Sequence, residues 1–577
     1  MDIDQLNPEQ SRAAAHLDGP MLVVSGPGTG KTTALAARYR ELLRRGVEPE
    51  RILAITFTRK AAQHMLARIT REVGVEAKRT AIGTFHSIAL FVIKNWPQAF
   101  GELPSRRILG DSEPELIVLK LAGELDVPSD GLADAIERYK DQLITPEQAI
   151  ADARKAQGVA RHGAEVRARV YARYQKELAQ RNAIDFGDIV MAVVRAMAQD
   201  KRLLATLRER YTHVMIDEFQ DINKAQYRLV QLLAGKGGNV WAIGDPDQSI
   251  YGFRGSDIRY ILNFDRLFPG RRRIELVQNY RSCQGILDVA TGLISNNRLR
   301  FGAKELRAYR SDAAALRLHE ARDSMHEAEW VADEIERLAG EGVPYEEMAV
   351  LVRVAHHGTW IEQALSRRGI PFELLGVTNF WTLTEVKRAL RAIQEVTGTQ
   401  VAPDSEPTPR WLMEKIGEPS GNFVKDARSV CHAVARSPSK VITGQRREAW
   451  QAAMNVLAEE IKVLGSPKAF GDFVKARGAV GQRGDQKGVS LGTIHAAKGL
   501  EWSAVFLAAC EEGVLPHAKN DDIEEERRLA FVAITRARSF VGVSYALSRG
   551  RQEAAPSPFV GEMLRAAGPG LFKRSSD

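Results

Sequence analysis

The stretch Met21-Leu22-Val23-Val24-Ser25-Gly26-Pro27-Gly28-Thr29-Gly30-Lys31-Thr32-Thr33 constrains this chain more than any other. An apolar run of strand length enters a glycine-rich loop, and Lys31-Thr32 opens a helix that Gly46 can close. A phosphate cradle needs that order. Glycines let successive backbone N–H groups converge on an anion, and the helix N-terminus adds positive dipole. Lys31 then reaches the β- and γ-phosphates, and the Thr32 hydroxyl is placed to ligate Mg²⁺. Ser25 stands where the usual pattern has a first glycine, and a small residue still permits the turn. A plain Gly/Pro loop with a surface lysine would not require a strand before it and a helix after it. The expected ligand is a nucleoside triphosphate with Mg²⁺.

The chain around this loop is 577 residues long and should hold several domains. A net charge of +8 leans towards a polyanionic partner without requiring one. Cys283, Cys431 and Cys510 form no CxxC pair, which argues against a zinc or iron–sulfur site and suits a reducing cytosol. Met1–Asp4 lacks an apolar core and predicts no signal peptide, and no apolar run has the length of a membrane span. The expected location is cytoplasmic.

Ahead of the loop, Asn7-Pro8 reads as a helix start, and the Gln10 amide suits an adenine edge. Two further strands end in Thr56-Phe57-Thr58 and Gly83-Thr84-Phe85-His86-Ser87, at the edge where parallel sheets bind ligands. Phe57, Thr84, Phe85 and His86 together suit stacking and phosphate contacts to a single strand. A helical, charged stretch follows from about 103 to 210. Then His213-Val214-Met215-Ile216-Asp217-Glu218 ends a buried strand in two carboxylates. Asp217 suits a Mg²⁺ ligand, and Glu218 a base for the attacking water. The loop after Trp241–Gly244 carries Gln248, able to bond a phosphate oxygen and a water, and then Tyr251, Phe253 and Arg254. That interleaving suits a base-stacking platform.

These motifs, with Gly244-Asp245-Pro246-Asp247-Gln248-Ser249-Ile250-Tyr251, Gln278-Asn279-Tyr280-Arg281-Ser282, Thr493–Trp502 and Glu525–Ala537, resemble in order those of the UvrD/Rep helicases of superfamily 1. The resemblance runs from Leu6 to about Met563. It implies an α/β fold of two RecA-like P-loop motor domains, parallel sheets flanked by helices, each with a helical insertion. The expected divisions are motor 1 at 1–88 and 211–272, its insertion at 89–210, motor 2 at 273–396 and 488–577, and its insertion at 397–487. Strands are expected in the second half at 274–277, 348–352, 372–375, 490–493, 505–507 and 540–545, with helices at 327–338 and 383–396. By motif position, Arg281 and Arg536 would be arginine fingers to the γ-phosphate, Tyr280 would stack on adenine and Glu501 would contact the nucleotide. Thr493 and His495 would touch the DNA backbone. Catalysis would rest on Lys31, Asp217, Glu218, Gln248, Arg281 and Arg536.

Three departures from the family follow. Thr33 stands where an arginine commonly helps to sandwich adenine, leaving base selectivity to Gln10 and Tyr280. The second insertion is short, and opens with a loop holding Pro403, Pro407 and Pro409. The stretch Ser548-Arg549-Gly550-Arg551-Gln552-Glu553, where relatives extend a hairpin with an aromatic tip, has no aromatic residue. The resemblance implies an ATP-dependent 3′→5′ DNA helicase acting on single-stranded DNA and its junctions, as a monomer or weak dimer. The rival reading is a DNA-stimulated translocase that strips proteins, or serves a larger complex, with little unwinding. A non-enzymatic DNA-binding subunit would not need the intact set of catalytic residues.

Overall fold

The computed structural model describes residues 6–110, 112–235, 237–302, 304–376, 383–399, 407–436, 445–480, 487–550 and 552–576. The chain forms two compact units, Met1–Tyr280 with Leu299–Glu305, and Arg281–Arg298 with Leu306–Asp577.

The first unit is built on β1 (Met21–Ser25), β2 (Ile52–Thr56), β3 (Ala81–Thr84), β4 (His213–Ile216), β5 (Asn239–Gly244) and β6 (Arg272–Leu276). Their spatial order is β3-β2-β4-β5-β1-β6, and every pairing is parallel. β1 and β2 are buried throughout, as strands covered on both faces must be. The pleat sorts their side chains between two cores. Leu22, Val24, Leu53 and Ile55 face one, and Met21, Val23, Ile52 and Ala54 face the other. Helices α1 (Pro8–Ala15), α2 (Lys31–Arg44) and α3 (Arg59–Val73) fill the second core, and α4 (Phe85–Asn95) contributes to the first. Since all strands run one way, β1, β2, β3, β4 and β5 deliver Ser25, Thr56, Thr84, Ile216 and Gly244 to a single edge of the sheet.

Two boundaries fall differently from the sequence reading. The self-contained helical core occupies residues 109–183, within the expected 89–210. The helices that follow, Phe186–Gln199 and Lys201–Arg210, bury Ile189, Val193, Leu203 and Leu207 in the motor core instead. The second difference is β6, expected to open the second motor. It pairs with β1 from Met21↔Arg272 to Ser25↔Leu276, so the first unit extends beyond 272.

A buried charge cluster joins the helical core to the motor. The Lys140 ammonium is fully buried, 2.6 Å from Asp185 and 2.8 Å from Asp188, and Tyr174 donates its hydroxyl to Asp185 at 2.9 Å. Asp185 also caps the helix Phe186–Gln199.

The second unit carries β7 (Ala315–Ala321), β8 (Met348–Val352), β9 (Phe372–Leu375), β10 (Val489–Thr493), β11 (Trp502–Leu507), β12 (Ala537–Ala546) and β13 (Phe572–Ser576). These lie in the order β9-β10-β8-β11-β12-β7-β13, again all parallel. The sequence reading did not anticipate β7 and β13. β7 is an inner strand interrupted by polar residues, and its His319 stacks on Trp330 at 4.8 Å. A second helical core spans residues 386–474, beginning before the expected 397. The helix Thr384–Thr397 turns Val386, Ala389, Leu390 and Ile393 to the inserted helices rather than to the sheet. Pro403 lies outside the described residues. Pro407 and Pro409 precede the helix Arg410–Ile416.

Removing one partner of a buried ion cluster strands the other charges. Lys140→Met should therefore lower unfolding free energy by about 3–5 kcal/mol, measured as a shift of the urea midpoint. A loss below ~1 kcal/mol would show that the cluster carries no net stabilisation.

Candidate nucleotide and nucleic-acid site

Four strand ends of the first sheet supply the nucleotide side. In the loop after β1, Gly28 and Gly30 have φ of 63° and 77°, a region that costs other residues strain. A Cβ at Gly30 would come 2.6 Å from the Gln10 amide nitrogen, so a larger residue would have to displace the end of that side chain as well as strain the backbone. The Gln10 amide is itself committed to the loop. Its Nε2 donates to the Thr29 carbonyl at 2.9 Å, and its Oε1 accepts from the Asn7 N–H at 3.1 Å, closing a capping box at α1. Gln10 is 0% exposed and serves here as a support of the phosphate loop, where the sequence reading had it at an adenine edge. The Thr29 hydroxyl donates to the Gly26 carbonyl at 2.9 Å, and the Ser25 hydroxyl to Gly244 at 3.3 Å. The far side of the loop is held by the Asn279 amide, which donates to the Pro27 carbonyl at 2.6 Å, and by the Tyr280 N–H, which donates to Gly28 at 2.9 Å. Tyr280 thus sits against the phosphate loop, its hydroxyl accepting from Asn7 at 3.0 Å.

Lys31 opens α2 and directs its ammonium to Glu218 Oε1, 3.1 Å away. Glu218 adopts a left-handed backbone with φ 52° and ψ 44°, a conformation that costs a non-glycine residue about 1–2 kcal/mol. Its N–H donates to Asp217 Oδ1 at 3.0 Å, and Gln220 Nε2 donates to Glu218 Oε2 at 2.5 Å. Asp217 and Glu218 are both partly exposed, immediately past the end of β4. Gln248 is buried, its amide donating to Asp245 Oδ2 at 2.6 Å. The Thr32 hydroxyl-bearing side chain is exposed at the start of α2, and Thr33 is buried. Arg68 of α3 donates to the Thr33 hydroxyl at 3.0 Å, so an arginine arrives from another helix at the position where the chain lacks one.

Sequence reasoning gave Gln220 no role. Its amide bridges the ends of β4 and β5, since its Oε1 accepts from the Asp245 N–H at 2.9 Å while its Nε2 holds Glu218. The close approach depends on Gly244, where a Cβ would lie 2.5 Å from Gln220 Oε1. A glutamine two residues after a paired carboxylate was the available signal.

Aromatic residues gather at the other part of this edge. Phe57 and Tyr251 stack at 5.1 Å with 15° between their planes, Phe253 lies 6.0 Å from Tyr251, and the Arg254 guanidinium sits 5.7 Å and 5.5 Å from the two rings. Phe253 is 54% exposed. Thr84 caps α4, its hydroxyl accepting from the Ser87 N–H at 3.2 Å. His86 packs edge-on against Phe186, and burial pushes its pKa down, favouring the neutral ring. Phe85, expected against nucleic acid, is instead 2% exposed and buried in the motor core, where the first residue of α4 must point.

In the second unit, Arg281 Nε donates to Glu501 Oε2 at 2.6 Å and its Nη1 to the Thr535 carbonyl at 3.1 Å. Arg538 binds the other Glu501 oxygen at 3.1 Å. Burial would raise the Glu501 pKa, but the two arginines overcome it and hold the carboxyl below its ordinary value. Arg536 is 2% exposed, its guanidinium donating to the Val532 and Leu500 carbonyls at 3.0 Å and 3.3 Å. Thr493 ends β10, its hydroxyl accepting from the Ala496 N–H at 3.3 Å, and His495 follows at the same strand end, half-buried.

Among the described residues no helix is long and apolar enough to cross a membrane. Residues 6–269 match the family model of the UvrD/REP helicase N-terminal domain, and residues 274–399 and 477–548 that of the UvrD-like helicase C-terminal domain. The chain is similar to UvrD1, an ATP-dependent DNA helicase of Mycobacterium tuberculosis, at 32% identity over 95% of this chain and 83% of that protein. It is similar to PcrA, an ATP-dependent DNA helicase of Staphylococcus epidermidis, at 29% identity over 97% of this chain and 86% of that protein. Both alignments, of 646 and 637 positions, are longer than the 577 residues here, so each relative carries residues within the matched region that this chain lacks.

Replacing Gln220 by leucine would leave the Asp245 N–H without the Gln220 acceptor and remove the Gln220 donor from Glu218 Oε2. An unsatisfied buried donor costs about 1–3 kcal/mol. Gln220→Leu should show that loss in denaturant unfolding, and an unchanged midpoint would mean that the bridge is not maintained in solution.

Proposed function

Since the chain belongs to the UvrD/Rep helicase family, we infer that it is an ATP-dependent DNA helicase moving 3′→5′ on single-stranded DNA and opening duplex at the junction. The observation that carries this reading is the Lys31–Glu218 pair, 3.1 Å apart at the mouth of a glycine loop. A cation for the phosphates and a base for water then share one point. Lys31 and the N-terminus of α2 neutralise the β- and γ-phosphates. Glu218, held in a strained backbone and oriented by Gln220, accepts the proton of the attacking water. Gln248 senses the γ-phosphate, Tyr280 stacks on the base, and Arg281 and Arg536 are the cationic groups that the second motor would offer to the transferred phosphoryl.

The donor set at the strand ends fits Mg²⁺. Thr32 offers a hydroxyl and Asp217 a carboxylate, both hard oxygen ligands beside the phosphate loop. The bound ion would neutralise charge across the β- and γ-phosphates. The stacked Phe57 and Tyr251, with exposed Phe253 and Arg254, support a single-strand platform that reads no particular sequence. It joins the sensor within one loop, since Gln248 and Tyr251 are three residues apart. Nucleotide state and grip on the strand can thereby change together, and alternating grips make steps.

A specific feature favours the translocase as second reading. The antiparallel pair Ser548–Arg549 and Gln552–Glu553 is two residues long on each side. Arg549 is committed to ion pairs with Glu327 and Glu511, which fix the hairpin base without providing an aromatic wedge.

Strand displacement on duplexes with a 3′ or a 5′ single-stranded tail, followed together with ATPase, decides between the readings. The expected result is ATP-dependent opening of the 3′-tailed substrate alone. Strong DNA-stimulated ATPase with neither duplex opened would favour the translocase. Lys31→Ala should lose turnover in either case, and undiminished ATPase in that variant would sink the site assignment. Tyr251→Ala should weaken single-stranded DNA binding by about 1–3 kcal/mol, the cost of one lost base stack, in fluorescence anisotropy titrations.

A further inference from the structure

The segment Leu299–Glu305 is a strap. The chain on both sides of it belongs to the second unit, yet these seven residues pack on the first. Two buried ion pairs hold it there. Arg300 Nη2 lies 2.9 Å from Asp247 Oδ2, and Lys304 Nζ lies 2.8 Å from Asp245 Oδ1. The Lys304 and Asp245 side chains are 6% and 0% exposed. Apolar packing beneath the strap is incomplete. A cavity of about 200 Å³ remains, lined by Val24, Pro246, Asp247, Arg273, Phe301 and Lys304 among others.

Burying an ammonium and a carboxylate is costly, and the cost is recovered only where geometry and further hydrogen bonds are good. One further bond is local, the Asp247 N–H donating to Asp245 Oδ1 at 3.2 Å, and the others lead to the nucleotide site. Lys304 Nζ also donates to the Ser25 carbonyl at 3.0 Å, where β1 passes into the phosphate loop. The second Asp245 oxygen accepts from the Gln248 amide at 2.6 Å, and the Asp245 N–H donates to Gln220, which holds Glu218. One ammonium therefore bonds directly to the phosphate loop, is two bonds from Gln248, and reaches Glu218 through Gln220.

We propose that Lys304 is a positioning residue for γ-phosphate sensing. By fixing Asp245 against the Ser25 carbonyl, it holds the Gln248 amide in one rotamer and in register with the phosphate loop. The chain continues into the second unit at both ends of the strap. The inference rests on the γ-phosphate role given to Gln248 above. A structural staple alone would stabilise the fold without separating nucleotide binding from turnover.

The test measures DNA-stimulated ATPase and, separately, ADP affinity with a fluorescent ADP, in Lys304→Met, Lys304→Arg, Gln248→Ala and the double variant Lys304→Met/Gln248→Ala. ADP lacks the group that Gln248 senses. Lys304→Met should lower kcat about tenfold or more, short of the ~10²–10³-fold cost of deleting a transition-state donor outright, with ADP affinity within about twofold of wild type. Lys304→Arg keeps the charge but not the compact ammonium that bridges two oxygens. It should lower kcat about threefold, and it carries the test if the methionine variant fails to fold. The double variant should turn over no more slowly than Gln248→Ala alone, because both changes remove one function.

Wild-type turnover in the lysine variants would overturn the proposal, as would parallel losses of ADP affinity and kcat, or multiplicative losses in the double variant. Full turnover in Gln248→Ala, or a wild type without DNA-stimulated ATPase, would instead strike the reading of the site on which this inference rests. A loss in Gln248→Ala with none in the Lys304 variants strikes the inference alone.

Discussion

Lys31 and Glu218 meet at 3.1 Å although one follows β1 and the other β4, with β5 between them. Much of the first unit serves that meeting. A lysine and a glutamate 187 positions apart can share a point only if their strands run parallel and stop at the same level. Parallel strands in turn require long crossovers, and the helices of those crossovers cover both faces of the sheet. The continuous apolar runs of β1 and β2 are the sequence's answer to that burial, with alternate residues serving opposite cores.

The strand ends then face a second problem. The polar groups that must be present at the site are partly or wholly removed from water, and each needs a partner. Gln220, Asp245 and Lys304 provide them, none of which reads as catalytic in the sequence. Gly244 and Gly30 make room for two of the contacts, since a Cβ at either would collide with a glutamine amide. The strain at Glu218 is tolerated because its carboxylate and its backbone are both bonded. The site is therefore a network in which the residues named by motif are oriented by residues that are not.

Both inserted helical regions are separate cores, centred on Tyr171 and Tyr174 in one and on Trp450 and Leu457 in the other. Their boundaries were the least legible part of the chain. A helix such as Thr384–Thr397 shows an amphipathic pattern whichever neighbour it packs on, so periodicity identifies the helix but not its partner. The same reason hid Phe186–Gln199, which falls within the expected insertion of 89–210 and packs with the motor. β7 escaped notice because Arg317 and His319 break its apolar pattern, and β13 because an edge strand needs little hydrophobicity.

The sequence by itself determined the phosphate loop, the carboxylate pair and the family, because these depend on local backbone chemistry and on motifs in a set order. A glycine loop between a strand and a helix carries its meaning wherever it lies in a fold. Tertiary structure alone decided what those residues touch. It bonded the Gln10 amide to the phosphate loop, buried Phe85 in the core, tied Arg536 to backbone carbonyls, and brought Arg68 to Thr33 and Lys304 to Asp245. Each of these contacts joins residues whose separation in the chain says nothing about their distance, and a buried polar group takes its role from whichever partner burial leaves within reach.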